Sequence, residues 1–196
     1  MTTANKITIL RILLTPFFVV EGLYHVTTGN EVYRLIAVVS FAIAAICDGV
    51  DGYVARRYNQ RSELGAILDP LADKLLLVSG IVLLSFHWPY LDHIPLWLTC
   101  TIMGRDVLIL AGVVVIQITI GKLRVRPRIF GKIATVLQMV CVLWILLKWN
   151  SKALSVWTLM AAIFTGGSGL LYVWDGVRQL SAHPSSNPKD HKERQI

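Results

Sequence analysis

Four aspartates fall within 26 residues of this 196-residue chain. Two stand in the run Cys47-Asp48-Gly49-Val50-Asp51-Gly52-Tyr53-Val54-Ala55-Arg56, and two follow Gly65 as Asp69 and Asp73. Asp48 and Asp51 are spaced i,i+3, and Asp69 and Asp73 i,i+4, so on helices each pair shares one face. Two such helices facing each other would bring four carboxylates to one point, a hard-oxygen site for divalent cations. Both ends of the run adjoin long apolar stretches. At the centre of a membrane helix each aspartate costs roughly 2.5–3.5 kcal/mol, so four would cost about 10 kcal/mol unless cations or a wet cavity offset them. Gly52 lies one turn from Asp48, and Ala55 one turn from Asp51. These small residues, with Gly65, leave room for a ligand beside the carboxylates. Arg56 follows at the mouth and suits a phosphate oxygen. Two metals about 3.5–4 Å apart can clamp a diphosphate while an oxygen nucleophile attacks phosphorus.

The elements that carry these residues must be apolar helices. The chain is 55% hydrophobic and 16% charged, with mean hydropathy +0.60, a balance that belongs to a polytopic membrane protein. Six segments of about the 20 residues that span a hydrocarbon core can be drawn, at 7–27, 32–54, 66–86, 94–120, 130–149 and 153–177. The expected fold is an all-α membrane protein, a bundle of six transmembrane helices in one domain over residues 1–180. Residues 181–196, rich in Pro, Ser and charge, are expected to be a disordered cytoplasmic tail.

With six spans, fifteen of the 19 Lys and Arg residues share the side of the two termini. Arg34, Lys148 and Lys152 stand opposite, and Arg105 lies inside a span. That asymmetry puts both termini in the cytoplasm. The net charge of +7 then faces anionic headgroups and phosphorylated substrates. Nucleic acid is excluded as a partner, because the basic residues flank helices instead of forming a soluble face. The first segment is not a cleavable signal, since it contains Arg11, Pro16 and Glu21. Cys47, Cys100 and Cys141 fall within spans and give neither a disulfide framework nor zinc spacing. In the turn at 87–95 the histidines read as solvated, with Trp88, Tyr90 and Trp97 in the headgroup belt. Gly166, Gly167 and Gly169 read as points of close helix packing.

The pattern Asp48-x-x-Asp51-Gly52-x-x-Ala55-Arg56-x(8)-Gly65-x(3)-Asp69-x(3)-Asp73 resembles the signature of the CDP-alcohol phosphotransferases at all eight positions. The resemblance covers residues 5 to about 178. It implies that Asp48, Asp51, Asp69 and Asp73 hold two Mg²⁺ or Mn²⁺ ions and that Asp73 is also the general base. Gly52, Ala55 and Gly65 would line the cytidine nucleotide site, with Arg56 on the diphosphate of CDP-diacylglycerol. A metal-ligand role alone remains the alternative for Asp73. A homodimer in the bacterial inner membrane, with its active site facing the cytoplasm and membrane lipids around it, is the expected setting.

The signature leaves the acceptor alcohol open. The opening Asn5-x-x-Thr8-x-x-Arg11-x(4)-Pro16 resembles that of the phosphatidylglycerophosphate synthases within the family, and Asn5 and Thr8 would join the donor site. The wording Leu68-Asp69-Pro70-Leu71-Ala72-Asp73-Lys74 and the stripe Gly131-Lys132-x-x-Thr135-x-x-Gln138 suit the same subgroup. An arginine inside a span needs a partner, and for Arg105 that is Asp106 or a substrate phosphate. Arg105, Lys132 and Arg128 are therefore candidates for the phosphate of glycerol 3-phosphate. Alternatives are a cardiolipin synthase that uses phosphatidylglycerol and a phosphatidylinositol phosphate synthase. In another class stands a divalent-cation transporter, which would leave Gly52, Ala55, Arg56 and Gly65 without a role.

Overall fold

The computed structural model describes the backbone of residues 3–57, 63–120 and 129–181. The side chains of Asn5, residues 51–57 and 63–67, Asp69 and Pro70 lie outside what it describes. The named elements among the described residues are all helices: α1 (Thr3–Thr28), α2 (Glu31–Arg57), α3 (Glu63–Ser85), α4 (Leu96–Ile120), α5 (Ile129–Leu146) and α6 (Ser151–Ser181). These track the six apolar runs. The expected tail at 181–196 falls almost wholly outside the described residues. Among the described residues, four helices (α1, α2, α5 and α6) are long and apolar enough to cross a membrane.

The helix ends follow local chemistry. Gly29, at φ 71°, closes α1 in the left-handed region that a glycine enters without a Cβ penalty, and its N–H bonds the His25 carbonyl at 2.8 Å. Asn30 then caps α2, its Oδ1 accepting the Val32 N–H at 2.9 Å. His25 is fully buried and donates from Nδ1 to the Asn30 carbonyl at 2.9 Å, which ties the turn together. At the next turn on this side, Trp88 donates its indole N–H to the Leu83 carbonyl at 2.9 Å, so it caps α3 as well as offering an aromatic face. His87 and His93 stay exposed but stack with ring centroids 3.8 Å apart. Asn150 caps α6 through the Lys152 N–H at 2.9 Å.

The chain divides into two compact units, Met1–Thr99 with Val136–Leu159, and Cys100–Thr135 with Met160–Ile196. In the first, the buried face of α1 runs Thr8, Arg11, Thr15, Phe18, Gly22, His25 and Val26, a stripe at helical spacing. It meets the buried stripe Ala37, Ser40, Phe41 and Ala44 of α2. The two helices are antiparallel, in a register that runs from Tyr24 on Tyr33 (centroids 5.4 Å) through Phe18 on Phe41 (5.2 Å) to Arg11 on Asp48. A Cβ added at Gly80 of α3 would touch Phe41 at 3.4 Å and Val142 of α5 at 3.2 Å, so three helices meet there. Arg34 donates to the carbonyl of Leu146 at 2.7 Å and pairs with Glu31, which also takes Lys148 at 2.5 Å. The start of α2 is thereby tied to the end of α5.

In the second unit, Phe130 and Phe164 hold α5 against α6, with ring centroids 6.0 Å apart. Of the three glycines read as packing points, only Gly169 has a neighbour close to an added Cβ. Gly166 and Gly167 have nothing within 4 Å. Likewise only Cys141 among the cysteines is buried, while Cys100 is exposed. An apolar run marks these residues as membrane-compatible but does not say which face turns inward.

Candidate active site

Helix geometry puts each aspartate pair where its spacing requires. Positions 48 and 51 sit on the unbroken helix α2, and 69 and 73 on α3. Each pair therefore shares a helical face. Gly52 and Ala55 continue α2, Arg56 is its penultimate residue, and Gly65 lies in the first turn of α3. The side chains of Asp51, Gly52, Ala55, Arg56, Gly65 and Asp69, and that of Asn5, fall outside the described set. Among the described residues no three His, Cys, Asp or Glu side chains converge. Asp48 is partly open, with 39% of its side chain exposed, and a Cβ on neighbouring Gly49 would meet nothing within 4 Å. Asp73 is half-buried beside fully buried Ala72 and engages a further group.

The helix that holds Asp48 is α1. It packs along α2 and along α3, whereas among the described residues α2 and α3 touch one another over only a short stretch. Thr8 and Arg11, on its inner face, are fully buried. Arg11 donates from Nη1 to Oδ1 of Asp48. Thr15 returns a hydrogen bond from Oγ1 to the Arg11 carbonyl at 3.0 Å. One turn on, Pro16 has no N–H to give, so the Ile12 carbonyl loses its helical partner. The sequence put Arg11 in a motif but gave it no contact. The signal was present: an arginine in an apolar span needs a partner as much as Arg105 does.

In the second unit, Arg105 is 9% exposed and donates from Nη1 to Asp106 Oδ1 at 2.8 Å. Both residues of this pair are largely buried. The Arg105 side chain lies beside two glycines, its guanidinium at Gly131 and its aliphatic stem at Gly169. An added Cβ at Gly131 would come 3.0 Å from Nη2, and one at Gly169 would come 3.3 Å from Cγ. Tyr172 Oη stands 3.9 Å from the same point at Gly131. Among the described residues, Nε of Arg105 is a buried donor with no acceptor. A buried, unsatisfied donor is costly, so it marks a place where an acceptor is expected. Lys132 follows Gly131 and is exposed, and Arg128 lies outside the described residues. The sequence marks Arg105 and Gly131 but does not show that Gly131 and Gly169 make room for the Arg105 side chain.

A profile of the CDP-alcohol phosphatidyltransferase domain matches residues 1–167. The CDP-diacylglycerol–glycerol-3-phosphate 3-phosphatidyltransferase of Escherichia coli strain K12 is 32% identical over 183 residues, covering 90% of this chain and 91% of that enzyme. Proteins of the same name from Shigella flexneri serotype 5b and Shigella boydii serotype 4 match to the same extent. With the signature complete and the match running almost end to end, the chain belongs to the CDP-alcohol phosphatidyltransferase family.

Proposed function

We propose that this chain transfers the phosphatidyl group of CDP-diacylglycerol to sn-glycerol 3-phosphate, giving phosphatidylglycerol phosphate and CMP. One observation carries this reading. The eight-position signature is unbroken, on α2 and α3, in a chain 32% identical over nine-tenths of its length to an enzyme named for that reaction.

Asp48, Asp51, Asp69 and Asp73 would hold two Mg²⁺ or Mn²⁺ ions. The residues fit such ions: the donors are carboxylate oxygens, and Asp48 keeps an open side next to Gly49. Bound there, the ions supply positive charge that polarises the β-phosphorus and stabilises departing CMP. Gly52, Ala55 and Gly65 leave room for the cytidine nucleotide, Arg56 takes a diphosphate oxygen, and Asn5 and Thr8 complete the donor site. Asp73 accepts the proton of the acceptor hydroxyl as its oxygen bonds to the β-phosphorus. The bond from that phosphorus to the bridging oxygen breaks, and the oxygen leaves with CMP. Arg105, Lys132 and Arg128 bind the phosphate of glycerol 3-phosphate. The buried Nε of Arg105, which has no acceptor among the described residues, supports that role.

The reading places residues 1–180 in the bacterial inner membrane as six spans, with both termini and the active site on the cytoplasmic side. Residues 181–196 form a cytoplasmic tail, and the enzyme works as a homodimer. Purified protein given CDP-diacylglycerol, Mg²⁺ and one alcohol at a time tests the acceptor. CMP release with glycerol 3-phosphate is expected. Release only with phosphatidylglycerol would make the chain a cardiolipin synthase instead, and release only with inositol phosphate would make it a phosphatidylinositol phosphate synthase.

A further inference from the structure

The signature spans α2 and α3, yet a side chain of α1 touches one of its aspartates. Arg11 is fully buried, and its Nη1 holds Oδ1 of Asp48. Asp48 itself is 39% exposed, so one oxygen is turned to the arginine while the residue keeps an open side. Arg11 lies on the helix that packs along both α2 and α3, and a Cβ added at Gly22 of α1 would strike Leu83 of α3 at 2.6 Å.

A guanidinium buried in an apolar span is retained only where its charge is matched. Two roles would satisfy that. As a plain counter-charge, Arg11 would relieve repulsion among the carboxylates but also repel arriving cations, so removing it would tighten metal binding. As a clamp, it would fix the Asp48 carboxylate in one orientation, so removing it would loosen metal binding. Groups that orient a metal ligand in this way typically contribute about 10- to 100-fold in metal affinity. The directed Nη1–Oδ1 contact, together with the Thr15 hydrogen bond that ties down the same turn of α1, favours the clamp.

We propose that Arg11 is a positioning residue of the transferase, pinning one oxygen of Asp48 so that the other is presented to a bound divalent ion. This rests on the metal reading of the four aspartates given above.

The test uses the full-length protein in detergent, stripped of metal and titrated with Mn²⁺ while free Mn²⁺ is read by electron paramagnetic resonance. Circular dichroism confirms that each variant is helical. Arg11→Gln keeps a polar side chain without charge and is expected to weaken Mn²⁺ binding by about 10-fold or more. Arg11→Lys keeps the charge but lacks the planar fork, and is expected to lose several-fold. Wild-type affinity in Arg11→Gln, or tighter binding, overturns the proposal. If Arg11→Gln is not recovered as folded protein, Arg11→Lys decides: a loss supports the clamp, and unchanged affinity overturns it. Failure of the wild-type protein to bind Mn²⁺ at all would instead overturn the metal reading on which the clamp depends.

Discussion

Replacing Arg105 by lysine separates an acceptor-binding arginine from a structural one. In the structure Nη1 is committed to Asp106 at 2.8 Å, Nε is a buried donor with no acceptor among the described residues, and Nη2 lies 3.0 Å from where a Cβ on Gly131 would stand. The planar fork can hold Asp106 and a phosphate oxygen at once. A lysine ammonium is a point charge and cannot reproduce both. The variant therefore loses one charged hydrogen bond to the substrate, about 1.5–3 kcal/mol. That corresponds to a rise on the order of 10- to 100-fold in KM for glycerol 3-phosphate. Because lysine can still pair with Asp106, the Tm should move little. Steady-state CMP release, with each substrate varied in turn, is the assay, and KM for CDP-diacylglycerol should stay near the wild-type value. If Tm falls and both KM values rise together, Arg105 only braces α4, and the reasoning from its unsatisfied Nε is wrong.

Other expectations follow from the same geometry. Asp48→Asn and Asp69→Asn should abolish turnover while the protein still inserts and purifies, because apolar helices hold the fold; loss of the folded protein in both would contradict this. Asp73→Asn should lower kcat by about 10²–10⁴-fold with donor binding retained. Parallel loss of metal and donor binding would make Asp73 a ligand only. Gly131→Ala places a Cβ 3.0 Å from Arg105 Nη2, so KM for glycerol 3-phosphate should rise while that for CDP-diacylglycerol does not. Gly29→Ala combines a left-handed backbone, which costs about 1–2 kcal/mol without glycine, with a contact at 2.9 Å on the Tyr90 ring. A clear drop in the unfolding midpoint is expected, and an unchanged midpoint would mean that the turn after α1 relaxes freely.

What could be read from the sequence is what depends on short-range spacing. The apolar runs gave the helices because their length and composition are local. The aspartate pairs were legible because i,i+3 and i,i+4 on a helix fix a shared face. The ends of helices were less so: the segment drawn to 149 stops at Leu146, and Lys148 then enters the left-handed region at φ 54°. Contacts between helices were not legible. Arg11 reaches Asp48 only through the antiparallel register of α1 and α2, which is set by pairs such as Phe18 and Phe41 far apart in sequence. The glycines beside Arg105 belong to two different helices, and nothing in the spacing distinguishes Gly169 from Gly166 or Gly167. The stacked His87 and His93 required the loop to turn back on itself, which the sequence marked with prolines without fixing its path.

The most direct test of the central claim follows labelled glycerol 3-phosphate into lipid. Purified protein, CDP-diacylglycerol and Mg²⁺ should convert the label to phosphatidylglycerol phosphate, with one CMP released for each lipid formed. Chelation should stop both, and added Mg²⁺ or Mn²⁺ should restore both. Label that stays in water while CMP is released, or full transfer in excess chelator, would contradict the account.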